Sequence, residues 1–498
     1  MNYLRKIYHQ INLIVLISIG ISGMLLRIYF YLINRSLWFD EALLGLNIIQ
    51  RDFLGFFKPL DFNQSAPIGF LLLEKLLIII SSPRDYILRI IPLIAGILSV
   101  AFIVFVAKQY SSGLGLLIIV GLFSFSWNLI YYSSELKQYS SDVFLSLVLL
   151  YIFKNYTQNK SNKNLIKIGI VGTICIWFSH PSIFILASIG IAIFINSLYT
   201  KNIQKQIWWL IAIGGLWCIN LLIIYNVSLK YSASNNQLIT YWKDFFAPIP
   251  SYNNLNWYYR NLSNILSDSA NLPATFITVG LIILGILYIL INRKYMEFIV
   301  LFLPFLITLI ASSLRLYPVY GRLLLYYSPF IYIYLGNGFE LIRLSFNKIN
   351  KYIGIFVSLL LVAYFFANPI KTDYKNTLYP PKGEHIKPLL SYLQNHIRQN
   401  DRIYAYCGAY PATEFYAPFY RIDSTRIYKG IWSRQDPEKY LDDVALLKGY
   451  SRVWIIFSHI YDSEDKIILD YLQKIGVEKR SFSAYGTSLY LFDLSNGE

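Results

Sequence analysis

Long apolar runs separated by short polar segments fill the chain from residue 11 to residue 368, and beyond that point the pattern changes to short alternating stretches. A helix crossing a hydrocarbon core of about 30 Å needs about 20 mostly apolar residues, with about 17 tolerated. Eleven runs fit: 11–33, 88–107, 114–131, 139–155, 165–180, 182–198, 207–226, 272–291, 296–313, 323–341 and 352–368. A twelfth, Pro67 to Ser81, is short, carries Glu74 and Lys75, and has Lys58, Asp61, Arg84 and Asp85 close by. A charged pair at mid-bilayer is costly, so this run predicts an interfacial helix, with a spanning helix as the alternative. The run 11–33 follows Arg5 and Lys6, is too long for a signal-peptide core and lacks a small-residue cleavage site, so it reads as an uncleaved first span.

The C-terminal part has a different period. Ile403 to Cys407, Val453 to Phe457 and Ser488 to Phe492 predict strands, and Pro388 to Ile397, Asp436 to Leu447 and Glu464 to Ile475 predict helices. The fold class expected is a polytopic α-helical membrane protein over 1–368, with a small α/β domain over 369–498. Two long loops, 34–87 with its interfacial helices and 227–271, interrupt the helical part.

Composition sharpens this. Of 498 residues, 56% are hydrophobic and 14% charged, against about 25% charged in an ordinary soluble domain. Residues 1–368 hold 27 basic and 12 acidic side chains, whereas 369–498 hold 17 and 16, so the net charge of +16 belongs to the apolar part. Those bases punctuate apolar runs and do not form a solvated basic face, which sets nucleic-acid binding aside. With the N-terminus cytoplasmic and 67–81 not spanning, the inner loops hold Arg5 and Lys6; Lys108; Lys154, Lys160, Lys163 and Lys167; Lys201 and Lys205; Arg293 and Lys294; Arg343, Lys348 and Lys351. They are short and nearly free of acid, as the positive-inside rule asks. The expected protein is therefore a multi-pass plasma (inner) membrane protein. Its loop 34–87, the turns at 133–138, 180–181 and 315–322, the loop 227–271 and its C-terminal domain are all extracytoplasmic. Three cysteines, Cys175, Cys218 and Cys407, make no disulfide or zinc framework, and no His/Asp/Glu cluster has metal-ligand spacing.

The first outer loop opens Ser36-Leu37-Trp38-Phe39-Asp40-Glu41-Ala42, with two adjacent carboxylates just past the first span. A helix N-terminus explains such a pair equally well, since acids favour that end of the dipole and Asp is a good N-cap. With Asn63-Gln64-Ser65-Ala66-Pro67 and Leu88-Arg89, the segment resembles the GT-C superfamily of polyprenyl-phosphate-sugar glycosyltransferases. Within it the chain most resembles the protein O-mannosyltransferase and aminoarabinose-transferase group, family 39. Tyr131-Tyr132-Ser133-Ser134-Glu135-Leu136-Lys137-Gln138-Tyr139 resembles the second outer loop of that group, and Tyr317-Pro318-Val319-Tyr320-Gly321-Arg322 the turn before a late span. The likeness covers roughly 1–345; its motifs are short, and their order and spacing carry it.

The resemblance implies a GT-C-like catalytic domain, a polyprenyl-monophosphate sugar donor and a hydroxyl acceptor that is a lipid, glycan or protein. It gives Asp40 the role of general base, since an ionised carboxylate can take the acceptor proton as the anomeric carbon is attacked. Glu41 is then a supporting acid. A single inverting displacement needs no second carboxylate nucleophile. The leaving lipid phosphate calls for cations where charge develops, and Arg322, Arg315 and Lys137 lie on the outer face. Snorkelling at a helix end is the plain alternative for either arginine, and an interfacial ion pair is the alternative for Glu135 and Lys137. Glu135, Tyr139, His180, Gln64, Tyr317 and Tyr320 complete the expected substrate contacts, with a satisfied helix-end histidine as the other reading of His180. No cofactor follows from the sequence; members of the group differ in metal use, which leaves a divalent cation open.

The sequence has no GxGxxG after a strand, no P-loop and no paired aspartates in a soluble N-terminal module, which favours a lipid-linked over a nucleotide-linked donor. The competing class is a lipid or glycan transporter. That class places ionisable residues at the midplane and often shows repeated halves, and no convincing internal repeat is present here.

Overall fold

The computed structural model describes residues 2–200, 203–434 and 436–495. Lys201 lies outside them, and so do the side chains of Arg5, Lys6 and Lys205. The chain divides into two compact units. One comprises 1–32, 52–82 and 86–379; the other comprises 33–51, 83–85 and 380–498, so the start of the first loop belongs with the C-terminal residues.

The larger unit is helical. Among the described residues, six helices are long and apolar enough to cross a membrane: Leu13–Leu32, Ile87–Tyr110, Ser182–Tyr199, Gln206–Ser234, Tyr295–Ser313 and Lys351–Leu378. Shorter or more polar helices, Tyr139–Gln158, Asn162–Phe178, Phe276–Ile291 and Ser328–Ile349, cover the other long apolar runs. The chain is a multi-pass membrane protein with a small C-terminal sheet domain. The last apolar helix runs on to Leu378, past residue 368 where hydropathy falls, and the C-terminal unit resumes at Pro380.

The run 114–131 is not one helix. Gly113–Ser124 ends, and Trp127–Tyr132 restarts after a two-residue break. A helix end leaves carbonyls without intrahelical donors, and here a buried arginine supplies them: the Arg27 guanidinium donates to Ser124 O (3.1 Å), Phe123 O (3.3 Å) and Gly23 O (2.8 Å). The run 67–81 is the helix Ile68–Ile80, 13 residues long. At 1.5 Å per residue it reaches about 20 Å, short of a bilayer core of about 30 Å. Tight helix pairing depends on small residues: a Cβ on Gly285 would collide with the Tyr334 carbonyl of Ser328–Ile349. Lys154 pairs with Glu297, both buried, joining the C-terminal end of Tyr139–Gln158 to the start of Tyr295–Ser313.

The polar loops of this unit pack on one another. Asn63 bonds Asn235 (2.7 Å) and Gln237 (2.7 Å), Val319 N donates to Phe245 O (2.8 Å), Asn128 donates to Asp268 O (2.6 Å), and Ser269 donates to Gly321 O (2.7 Å). The segments 61–66, 125–138, 235–271 and 312–328 thus share one end of the helical bundle.

The second unit carries a five-stranded sheet, β1 (Arg402–Ala405), β2 (Ile427–Lys429), β3 (Val453–Ser458), β4 (Val477–Ala484) and β5 (Thr487–Asp493), in the order β2-β1-β3-β5-β4. β1 is parallel to β2 and β3, and β5 is antiparallel to β3 and β4. Every residue of β3 is buried, as a central strand requires. The helices Lys387–His396, Tyr410–Tyr416, Lys439–Ala445 and Glu464–Ile475 accompany it. The motif helix Phe39–Gln50 packs in the same unit, against Tyr410–Tyr416.

Candidate active site

Asp40 and Glu41 occupy the first turn of Phe39–Gln50, with Trp38 extended as its N-cap. Both readings of the pair therefore have a physical basis, because this is where the helix field favours carboxylates. The two acids differ in setting. Glu41 is fully buried; its Oε2 accepts from Arg35 at 2.9 Å and lies 3.4 Å from the backbone N–H of Trp38, closing the helix start on itself. Asp40 is half-buried.

Residues distant in sequence strap this segment from all sides within the unit. Leu37 N donates to the Tyr416 hydroxyl (2.8 Å), and Ser36 Oγ meets His385 Nδ1 (2.9 Å). Lys387 donates to Asn34 O (2.9 Å) and pairs with Asp85, which also accepts from Tyr416 (2.8 Å). Burial and the nearby Lys387 and Lys382 lower the His385 pKa, so its imidazole stays neutral at pH 7. Phe39 N donates to Glu384 Oε2 (3.2 Å), and the Phe39 ring stacks on His459, centroids 4.6 Å apart.

In the helical unit a second polar group forms around Tyr132. Its ring meets Tyr131 and Tyr139 edge-on, each with centroids 5.2 Å apart. Burial and the charge of Glu135 raise its phenol pKa, and the cation of Arg322 opposes that rise. Beside it Lys137, itself buried, donates to Gln64 Oε1 at 2.8 Å, which ties the second outer turn to the segment before Ile68–Ile80. Arg322 follows Gly321, where a Cβ would sit 2.7 Å from Asp268 Cβ, so only glycine lets the turn close here. Gln64, Glu135, Lys137, Tyr139 and Arg322, drawn from three separate stretches, are thus brought to one place.

Next to them lies an acid that the sequence reading does not single out. Asp142, one turn after Tyr139, is buried with Oδ1 lacking a hydrogen-bond partner, and its carboxylate faces Ser179 and shares its field with Tyr317 and Tyr326. Its sole sequence signal is its position one helical turn past a motif tyrosine. His180 follows Ser179 in the turn between two helices; burial lowers its pKa to about 4, so it is neutral at pH 7, and its Nε2 has no hydrogen-bond partner. Tyr317 donates to Leu323 O (2.7 Å) and packs on Phe184. Tyr320 is turned outward onto Trp242 and Phe245. Arg315 is exposed, in left-handed backbone (φ 59°), and none of these contacts involves it. Among the described residues no group of three His, Cys, Asp or Glu side chains could hold a metal ion. An apolar cavity of about 470 Å³ runs between Asn162–Phe178, Ser182–Tyr199 and Ile203–Ile224, lined by residues such as Ile176, Leu186 and Trp217.

No protein-family model matches the sequence, and no curated protein does. Solved structures do match. ArnT from Cupriavidus metallidurans in the apo state superposes with a TM-score of 0.56 at 9% identity, covering 99% of each chain. The same enzyme bound to undecaprenyl phosphate gives 0.51 at 8% identity, covering 96% of this chain and 97% of that one. The oligosaccharyltransferase AglB from Archaeoglobus fulgidus, in complex with an inhibitory peptide and a dolichol-phosphate, gives 0.50 at 11%, covering 95% of this chain and 74% of that one. The chain therefore shares the fold of these solved proteins over most of its length.

Proposed function

We propose that the protein is a membrane glycosyltransferase that moves a sugar from a polyprenyl-monophosphate donor to a hydroxyl acceptor on the extracytoplasmic face. The observation that carries this is the match to ArnT over 99% of both chains, a protein also solved with undecaprenyl phosphate. The reading has eleven spans, a cytoplasmic N-terminus and an extracytoplasmic C-terminal domain. The polar loops that share one end of the bundle are then the outward face, and the basic ends of the helices the inward one.

In this mechanism Asp40 takes the proton of the acceptor hydroxyl as its oxygen attacks the anomeric carbon. The bond from that carbon to the phosphate oxygen breaks, the configuration inverts, and the polyprenyl phosphate leaves with the bonding pair. Arg322, with Lys137 near Gln64, neutralises the charge that develops on phosphate. An arginine fork suits phosphate oxygens. Arg315, exposed on the adjoining turn, meets the donor only as it enters. Glu135, Tyr139, His180, Gln64, Tyr317 and Tyr320 contact the sugar and its phosphate, and Asp142 adds an acceptor for sugar hydroxyls. Glu41, held by Arg35, fixes the helix start that presents Asp40. The apolar cavity between the central helices suits a polyprenyl chain.

The test is incubation of the purified protein in lipid with a panel of radiolabelled polyprenyl-phosphate sugars and a membrane extract as acceptor, beside Asp40→Asn. Label passing into product with wild type alone supports the reading and names the donor. Donor crossing vesicles with no glycosidic bond formed supports a transporter instead.

A further inference from the structure

The C-terminal domain touches the catalytic segment through a carboxylate and a ring placed on the residue immediately before Asp40. Glu384 uses both of its oxygens: Oε2 accepts from the Phe39 backbone N–H (3.2 Å) and Oε1 bonds His459 Nδ1 (2.6 Å). The His459 imidazole in turn lies flat on the Phe39 ring, with an interplanar angle of 4° and centroids 4.6 Å apart, and Trp38 packs at its side (6.3 Å). Phe39 N is the first amide of the motif helix, one of the donors that a helix start leaves without an internal partner. Glu384 therefore caps the helix from outside, at its first residue, while Glu41 closes it from within. His459 holds Glu384 in place. It stands just past β3 in left-handed backbone (φ 53°), a conformation that costs free energy in a non-glycine residue and persists where surrounding contacts demand it.

We infer that Glu384 and His459 are positioning residues for Asp40, a clamp by which the C-terminal domain sets the angle of the catalytic carboxylate. The inference rests on Asp40 being the base. The pair fixes the Phe39 backbone by a hydrogen bond and the Phe39 side chain by stacking, which leaves the next residue little freedom about the helix axis. General-base transfer needs the carboxylate within hydrogen-bond reach of the acceptor proton. A displacement of about 1 Å at a reacting group can cost about a hundredfold in rate.

The experiment measures kcat and donor KM of the full-length protein with the donor that wild type uses, for Glu384→Ala, Glu384→Gln, His459→Ala, His459→Phe and Glu384→Ala/His459→Ala. Removing the clamp lowers kcat at least about tenfold, with donor KM within twofold of wild type. Glu384→Gln keeps an oxygen for the Phe39 amide and restores most of kcat. His459→Phe keeps the stack and loses the Nδ1 bond, so it falls between His459→Ala and wild type. The double variant is no slower than the slower single one, because both residues serve one device. A purely structural role would instead lower yield and melting temperature, with kcat per folded molecule unchanged. The inference is overturned if Asp40→Asn is inactive while Glu384→Ala and His459→Phe keep wild-type kcat. Full activity of Asp40→Asn would overturn the assignment of the base itself, a different outcome. Should Glu384→Ala fail to fold, His459→Phe and Glu384→Gln decide the matter alone.

Discussion

Replacing Arg35 by methionine would take one cation away from the buried Glu41 carboxylate. The Arg35–Glu41 pair spans 2.9 Å, with 7% of the arginine side chain and none of the glutamate side chain exposed. Methionine keeps much of the aliphatic bulk and removes the charge. Breaking one side of a buried pair typically costs about 3–5 kcal/mol. The loss has a ceiling, because any buried carboxylate can be neutralised by a proton. Raising a carboxyl from about 4.3 to above pH 7 costs about 1.36 kcal/mol per unit, or about 3.7 kcal/mol at pH 7. The deficit of Arg35→Met should therefore reach at most about 3–4 kcal/mol at pH 7 and shrink, by up to about 1.4 kcal/mol per unit, as pH is lowered toward 5. Arg35→Met/Glu41→Gln removes both charges while leaving an oxygen for the Trp38 amide, and it should recover at least about 2 kcal/mol relative to Arg35→Met alone. Urea titrations in detergent at pH 5, 6 and 7 measure this. A deficit under about 1 kcal/mol, indifferent to pH and additive in the double variant, would refute the reasoning.

Other outcomes follow from single sites. Glu74 is fully buried with both carboxylate oxygens lacking hydrogen bonds, so Glu74→Met should leave the melting temperature unchanged or raise it, measured by thermal unfolding in detergent; a drop of many degrees would reveal an overlooked partner. Burial acts to raise the Asp401 pKa, but bonds from Arg452, the Arg398 amide and Trp454 outweigh it and hold the carboxyl below its usual range. Its contribution to the C-terminal domain is therefore present above about pH 4 and lost as pH falls through the lowered folded value. An acid titration followed by tryptophan fluorescence should show that loss, and Asp401→Asn, less stable at pH 7 by about 2–4 kcal/mol, should lack it. Gly321→Ala forces the turn off Asp268 and moves Arg322, so donor KM should rise several-fold more than acceptor KM in steady-state transfer kinetics.

The apolar runs were legible because length and hydropathy mark them, and among the described residues six of them lie in helices long and apolar enough to cross a membrane. Where a run broke, at Phe125 and Ser126, the cause was remote: Arg27 accepts the task of bonding the exposed carbonyls, and no feature local to 114–131 signals it. In the C-terminal part the helix Glu464–Ile475 and the buried strand β3 stand out by period, whereas β4, mostly exposed at the sheet edge, and the three-residue β2 leave no pattern to read. Candidate site residues that sit in the short motifs could be proposed from the resemblance. Their neighbours could not: Glu384 and His459 lie more than 340 residues from Phe39 and meet it solely through the fold. Asp142 is a first-turn acid of an apolar helix, a position that in sequence carries no sign of its burial beside Ser179 and Tyr317.

The central claim is that Asp40 deprotonates the acceptor during sugar transfer from a polyprenyl phosphate. The measurement that tests it most directly is single-turnover transfer by Asp40→Asn, with binding of unglycosylated polyprenyl phosphate measured on the same preparation. The account predicts that the variant binds the lipid as wild type does and transfers sugar at least about a hundredfold more slowly. Wild-type transfer by a folded, lipid-binding Asp40→Asn would contradict it.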